Sequence, residues 1–227
     1  PADFVPRHPH DGAMGCGPGL RDEDLAPFPR TPHAVKVHRQ EYYAIITHLD
    51  AQVGRILDAL EKSGQAENTY VIFTADHGLA AGHHGLLGKQ NMYDHSVRVP
   101  LTLTGPGIAA NHRIEAPVYL QDVMPTTLAQ VKFKSLTPLL RGEKTAPYDA
   151  VYGAYMMRQR MVTKDGFKLI YYPKTETTLL FDLTVDPLEM KNLAGLEDYA
   201  AQENSLWATL RQLQGPMGDT LVLSEVP

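Results

Sequence analysis

The strongest chemical signal in the sequence is an Asp-His-Gly triplet at positions 76–78, directly after an apolar run. Adjacent carboxylate and imidazole groups can supply an oxygen ligand and a nitrogen ligand to one cation. Gly78 allows the backbone to turn sharply after the pair. A simple turn explains such a triplet when it stands alone, so the residues around it decide between the two interpretations.

A glycine-spaced segment with histidines and a lysine follows the triplet. His83 and His84 lie between glycines, and Lys89 ends the segment. Lysine is a compact point charge that can hold an anionic group. An isolated loop lysine is usually only solvated, and an isolated loop histidine is more often hydrogen-bonded than a ligand. The combination within so short a segment favours a metal site that handles an anion over a structural loop.

The elements around this segment show the alternation of an α/β protein. Apolar residues recur at helical spacing from about Val35 to Ser63, and Gly64 is a suitable end for that helix. The run 69–75 is apolar, β-branched and aromatic, which predicts a strand buried on both faces of a parallel sheet. In open α/β sheets, ligands gather outside the carboxyl ends of strands, where the Asp-His pair would lie.

The rest of the chain is predicted to hold short elements. Residues 1–34 are rich in proline, glycine and charge, and we interpret them as an irregular surface segment or a linker. A strand is expected over 99–104 and a short helix over 120–130. The later segments predict a small antiparallel sheet and a closing helix, at 150–155, 159–163, 168–172, 179–183 and 197–214.

The composition is that of an ordinary globular chain. It has 227 residues, 43% hydrophobic and 21% charged, with 21 basic against 26 acidic side chains and a formal net charge of −5. No basic excess indicates nucleic acid or an anionic membrane as a partner. No apolar run is long enough to span a bilayer. The one cysteine, Cys16, excludes an internal disulfide.

Three motifs together resemble the type I sulfatases of the alkaline-phosphatase-like superfamily. They are Phe73-Thr-Ala-Asp-His-Gly78, Gly82-x-His84-Gly-Leu-x-Gly-Lys89 and Tyr93-Asp-His-Ser-Val-Arg-Val-Pro100. The resemblance implies a three-layer α/β/α fold with a mostly parallel sheet, incomplete in this chain, and a small C-terminal antiparallel subdomain. Residues 1–140 are expected to belong to the α/β core and residues 141–227 to the subdomain.

The resemblance also implies a metal-dependent hydrolase of sulfate esters, with a sulfated sugar as the expected substrate. Asp76 and His77 match two ligands of the family's cation, most often Ca²⁺; Mg²⁺ or Mn²⁺ are alternatives because imidazole is a less typical calcium ligand. Lys89 matches the lysine that binds the sulfate group and stabilises charge on the leaving oxygen. His84 is a further candidate catalytic residue, and His95 a candidate substrate-binding residue.

The family's nucleophile has no counterpart in this sequence. It is a formylglycine, made from Cys or Ser in a Cys-x-Pro-x-Arg motif. Cys16 and Pro18 match its start, but Leu20 occupies the arginine position, and we interpret Cys16 as an ordinary loop cysteine and Arg98 as a structural ion-pair partner. The resemblance implies a C-terminal portion of a sulfatase. The nucleophile and the first metal carboxylates are then expected on a missing N-terminal segment, which is also an expected partner.

Two other functions stay open. Phosphonate monoester and phosphodiester hydrolases of the same superfamily share these motifs, and sulfate and phosphate esters have similar size and geometry. A truncated, non-catalytic module would show no metal dependence. Location is not readable from the sequence, although export is common in the family.

Overall fold

The computed structural model describes residues 1–127, 134–142 and 146–223. Helices α1 to α6 span Asp11–Met14, Pro32–Lys62, Asp94–Val97, Val123–Thr127, Thr137–Leu140 and Ala200–Gln214. Strands β1 to β6 span Val71–Thr74, Leu101–Thr104, Val151–Tyr155, Gln159–Lys164, Phe167–Tyr172 and Thr177–Asp182. None of the helices within these ranges is long and apolar enough to cross a bilayer. The helix predicted over 120–130 is partly confirmed by α4, and residues 128–130 lie outside the described residues.

Helix α2 confirms the helix predicted over 35–63, and its two ends explain its bounds. Thr31 accepts a hydrogen bond of 3.1 Å from the backbone N–H of Ala34, and Pro32 is the first helical residue. Gly64 follows the helix with a φ of 71°, the left-handed conformation common at helix C-termini.

The apolar face of α2 is largely exposed in this chain. Val35 is the one buried residue of the helix, whereas Ile45, Leu49 and Ile56 are 65%, 55% and 68% exposed. Amphipathic helices gain most of their stability by packing such a face against a core. The predicted face is present, but the described residues do not supply a layer that covers it.

Strands β1 and β2 pair with each other in antiparallel orientation, with Val71 opposite Thr104 and Thr74 opposite Leu101. The prediction of a strand buried on both faces of a parallel sheet is wrong for β1 in the described chain, because Phe73 is 51% exposed. An apolar run identifies a strand, but its neighbours and their direction depend on residues distant in sequence.

Strands β3 to β6 form an antiparallel sheet in sequential order, which confirms the small sheet predicted beyond residue 140. The turn Asp165–Gly166 has φ angles of 50° and 80°, as tight hairpins require. Helix α6 packs on this sheet, with the Trp207 ring 4.8 Å from the Tyr171 ring in an edge-to-face arrangement. The predicted closing helix is therefore confirmed as well.

The N-terminal segment packs onto the fold through buried residues, so the interpretation of residues 1–34 as a linker is wrong, although about half of these residues are exposed, as expected of a surface segment. It contributes to an apolar cluster that contains Met14, Cys16, Leu86 and Ile170. Proline, glycine and charge are typical of surface loops, but several charged side chains here are buried with partners, which composition does not reveal. This cluster draws on both sides of residue 140, and the division into 1–140 and 141–227 stays a prediction.

Candidate active site

Asp76 and His77 lie in the loop that leaves β1, and their side chains face each other. Asp76 Oδ2 is 3.5 Å from His77 Nε2, and the Asp76 side chain is 85% exposed. His77 Nδ1 is 3.0 Å from the carbonyl oxygen of Gly78. Because Nδ1 faces this carbonyl oxygen, the other ring nitrogen, Nε2, is the one that lies beside the carboxylate and could bind a cation with it.

This pair offers one oxygen and one nitrogen ligand at the position that the sequence predicts. Among the residues that the structure describes, no group of three or more His, Cys, Asp or Glu side chains is arranged to hold a metal ion. Ca²⁺ takes about six to eight oxygen ligands. A cation at this pair therefore needs further ligands beyond Asp76 and His77.

Gly78 joins this loop to helix α3. Its N–H donates to the carbonyl oxygen of Ser96 over 2.9 Å, and a Cβ at this position would lie 2.0 Å from the carbonyl oxygen of His95. Any side chain would therefore push the two segments apart. The close approach places His95 beside the loop that carries the Asp-His pair.

His84 is held by a ring stack and a carboxylate. Its ring lies 4.1 Å from the Tyr93 ring, with 15° between the planes. His84 Nε2 is 3.3 Å from Asp3 Oδ2, and His83 Nδ1 is 2.9 Å from the same oxygen. Burial lowers the pKa of His84, so the neutral imidazole is favoured near neutral pH.

His95 belongs to the same group of rings. It stacks on His83 with centroids 5.6 Å apart and lies 5.8 Å from the His84 ring. Burial, together with these two histidines, lowers the pKa of His95 to about 3. Its buried Nε2 has no hydrogen-bond partner within the described part of the chain. The structure therefore brings the candidates His84 and His95 together, both as neutral imidazoles.

Lys89 is paired with a carboxylate of the N-terminal segment. Its Nζ atom is 3.3 Å from Asp22 Oδ2, and the lysine side chain is partly exposed. Asp22 also accepts a hydrogen bond of 3.1 Å from Gln90 Nε2. The predicted anion-binding residue is thus oriented by a partner and keeps part of its surface open to solvent.

The interpretations of Arg98 and Cys16 agree with the structure. Arg98 Nη1 lies 3.5 Å from Asp94 Oδ2, as expected of an ion-pair partner. The Cys16 thiol is buried and donates to the carbonyl oxygen of Gln90 over 2.8 Å. Burial raises the pKa of Cys16 to about 12, so the thiolate is essentially absent at neutral pH.

A buried ion pair from the C-terminal sheet anchors α3. The Lys168 ammonium contacts Asp94 and lies 2.8 Å from Glu189 Oε1. Glu189 Oε2 also accepts a hydrogen bond of 2.7 Å from the backbone N–H of Asp94. These contacts fix the first residue of the helix, next to His95.

Nothing in the sequence marks Asp3 or Asp22 as part of this site. Asp3 contacts His83 across 80 residues of chain, and Asp22 contacts Gln90 across 68. The acidic run at 22–24 is a visible signal, but its spacing does not connect it to the histidine-containing loop.

Comparison with known proteins identifies similar sulfatases. Choline-sulfatase of Rhizobium meliloti is 35% identical over 184 residues, which cover 75% of this chain and 36% of the relative. N-acetylglucosamine-6-O-sulfatase of Bacteroides thetaiotaomicron is 30% identical over 198 residues, which cover 78% of this chain and 36% of the relative. The chain thus spans 36% of the length of each of these relatives.

Solved structures share the fold. A protein in complex with its substrate D-glucosamine-2-N,6-O-disulfate superposes with a TM-score of 0.76 and 28% identity, over 86% of this chain and 44% of that one. The phosphonate monoester hydrolase of Agrobacterium radiobacter has a TM-score of 0.74 and 24% identity, over 94% of this chain and 52% of that one. These neighbours confirm the predicted alkaline-phosphatase-like α/β class, although both sheets among the described residues are antiparallel.

Family models give the assignment. The Sulfatase model matches residues 7–133, and the model for the C-terminal part of N-sulphoglucosamine sulphohydrolase matches residues 82–215. Each spans more than half of the 227 residues. With these matches, the resemblance seen in the motifs becomes an assignment, and the chain belongs to the sulfatase family.

Proposed function

We propose that the protein containing this chain hydrolyses sulfate esters, and that this chain supplies two metal ligands and the sulfate-binding lysine. The observation that carries the proposal is the Asp76–His77 pair, whose facing atoms lie 3.5 Å apart at the end of β1. The pair is open to solvent, so a cation and a substrate can reach it. Family membership supports the reaction class.

Asp76 and His77 would hold a divalent cation, with Ca²⁺ as the first candidate and Mg²⁺ or Mn²⁺ as alternatives. The donor set fits part of such a site, since a carboxylate oxygen and an imidazole nitrogen face each other there. The bound cation would polarise the sulfate group and favour ionisation of the nucleophile. The other ligands and the formylglycine are expected on the N-terminal part of the protein, outside these 227 residues.

Lys89 would bind a sulfate oxygen and stabilise the negative charge that develops on the leaving oxygen. An ammonium fits this task because it is a compact donor with three N–H groups. The Asp22 carboxylate lies against one side of the Lys89 ammonium. His84 is a candidate catalytic residue in the same loop, and His95 is a candidate for substrate contact from the adjoining helix.

We propose a sulfated carbohydrate as the substrate. One relative is named for N-acetylglucosamine 6-O-sulfate, and one solved neighbour holds a disulfated glucosamine. Another relative is named for choline sulfate, so a small sulfated alcohol is the natural comparison substrate.

The exposed face of α2 supports a role for this chain as part of a larger fold. Its exposed apolar residues adjoin β1 in sequence, whose Phe73 is also exposed. Large apolar side chains exposed along one helix face are typical of a surface that another part of a protein covers. We propose that the N-terminal part of the same protein covers it and completes both the sheet and the metal site.

The test uses the full-length protein with 4-nitrophenyl sulfate and a phenylphosphonate monoester, each with and without added Ca²⁺. Asp76→Ala should abolish metal-dependent sulfate release without unfolding the protein, and Asp58→Ala on the exposed surface of α2 is the matched control. Faster turnover of the phosphonate would identify a phosphonate monoester hydrolase. Turnover of neither ester, nor of glucosamine 6-sulfate or choline sulfate, with no response to metal, would identify a non-catalytic module.

A further inference from the structure

Glu23 is a buried carboxylate that holds the loop in front of Lys89. It is 1% exposed. Its Oε1 accepts a hydrogen bond of 2.8 Å from the N–H of Gly88, and its Oε2 accepts one of 3.0 Å from the N–H of Leu87. Hydrogen bonds to an ionised carboxylate are short and strong, so two successive peptide groups are fixed by a residue of the N-terminal segment.

Arg30 compensates the charge of Glu23. Its Nη2 lies 2.7 Å from Glu23 Oε2, and both side chains are fully buried. Arg30 also donates to the carbonyl oxygen of Gly85 over 3.4 Å, and its guanidinium lies 3.9 Å from the Phe28 ring. A buried charge persists only when it is paired and hydrogen-bonded. The pair therefore holds both ends of the segment 85–88.

Asp22 acts on the lysine side chain from the same turn. Its Oδ2 lies 3.3 Å from Lys89 Nζ. Gly88 makes this approach possible, because a Cβ there would lie 2.8 Å from Asp22 Cβ and 3.0 Å from Glu23 Oε1. Backbone and ammonium are thus held by consecutive carboxylates.

We propose that Asp22 and Glu23 are positioning residues for Lys89. Glu23 sets the backbone from which the lysine projects, and Asp22 sets the direction of its ammonium. This inference rests on the proposed role of Lys89 in binding the sulfate group. An exposed ion pair alone contributes little. Here, however, one carboxylate holds the backbone before Lys89 and a second contacts the lysine ammonium. Misplacing a group at a reacting centre by about 1 Å can cost about a hundredfold in rate.

The test is a double-mutant cycle on kcat/KM for 4-nitrophenyl sulfate in the full-length protein. Asp22→Asn and Glu23→Gln are each measured with Lys89 present and in the Lys89→Ala background. Asp24→Asn, an exposed carboxylate in the same turn, is the matched control. We expect losses of about tenfold for Asp22→Asn and about a hundredfold for Glu23→Gln, and no further loss once Lys89 is absent.

The outcomes separate this inference from the proposed function. Equal losses in both backgrounds, or wild-type turnover for Asp22→Asn, would overturn the positioning role while leaving Lys89 as the sulfate ligand. Wild-type turnover for Lys89→Ala itself would overturn both. If Glu23→Gln does not fold because Arg30 is left unpaired, the Asp22→Asn cycle decides.

Discussion

The Lys168 ammonium and the Glu189 carboxylate form an ion pair of 2.8 Å in which both side chains are buried. Burial raises the pKa of Glu189, against the opposing effect of Lys168. The pair connects strand β5 to the helix that carries His95, through the hydrogen bond from the N–H of Asp94. The C-terminal sheet therefore takes part in shaping the candidate active site.

Removal of Glu189 from this ion pair should lower the free energy of unfolding. Glu189→Ala leaves the buried Lys168 charge with one carboxylate, Asp94, and the carbonyl oxygen of Met92, and we expect a loss of about 3 kcal/mol in the free energy of unfolding. Urea denaturation of the full-length protein measures it, with the exposed Glu197→Ala as the control. Equal stability of the two variants would contradict a structural role for the pair.

Two buried histidines make stability depend on pH. Burial and neighbouring histidines lower the pKa of His8 and of His95 to about 3, whereas an unfolded histidine titrates near about 6.5. Between these values the unfolded chain binds more protons than the folded one. The free energy of unfolding should therefore fall as pH decreases from about 6.5 towards 3, by about 2 kcal/mol per histidine at about pH 5.

Substitution of one histidine isolates its share of this slope. His8→Asn keeps a polar side chain but cannot titrate, so we expect a shallower decline of stability between about pH 6.5 and 5. Denaturant unfolding at a series of pH values is the measurement. His48→Asn, on the exposed surface of α2, should leave the slope unchanged, and identical slopes for both variants would contradict the assignment.

The sequence identifies elements and motifs better than it identifies their partners. Helix α2 and the strands β3 to β6 follow from local periodicity and turn residues, because these depend on near neighbours along the chain. The antiparallel pairing of β1 and the burial of Glu23 cannot be predicted in this way, because they arise from contacts between segments that are distant in sequence. Asp76, His77 and Lys89 can be predicted from the sequence because their motifs lie close together along the chain. The carboxylates that orient the loop lie more than 60 residues away from it.

Cys16 should be dispensable for chemistry. Its thiol is buried and its pKa is raised to about 12, so it has neither the exposure nor the thiolate that a reactive cysteine needs. We expect Cys16→Ala to keep wild-type turnover of 4-nitrophenyl sulfate and to lose about 1 to 2 kcal/mol of stability from the small cavity. A folded Cys16→Ala protein without activity would contradict this prediction and would indicate Cys16 as the nucleophile.

The exposed face of α2 gives the sharpest test that this chain works as part of a larger fold. In the described chain Ile45 and Ile56 are 65% and 68% exposed, so an aspartate at either position costs little if these residues face water. If the N-terminal part of the protein covers them, each substitution buries an unpaired charge. We then expect Ile45→Asp and Ile56→Asp to destabilise the full-length protein by about 3 kcal/mol or more.

Gln40→Asp is the control for that helix, since position 40 lies about 140° around the helix from Ile45 at about 100° per residue. It introduces the same charge on another face of α2 and should change stability by no more than about 0.5 kcal/mol. Thermal or urea unfolding of the three variants compares them directly. Equal, small effects at all three positions would mean that water covers this face in the whole protein. The covering layer proposed for the sheet and the metal site would then have to lie elsewhere.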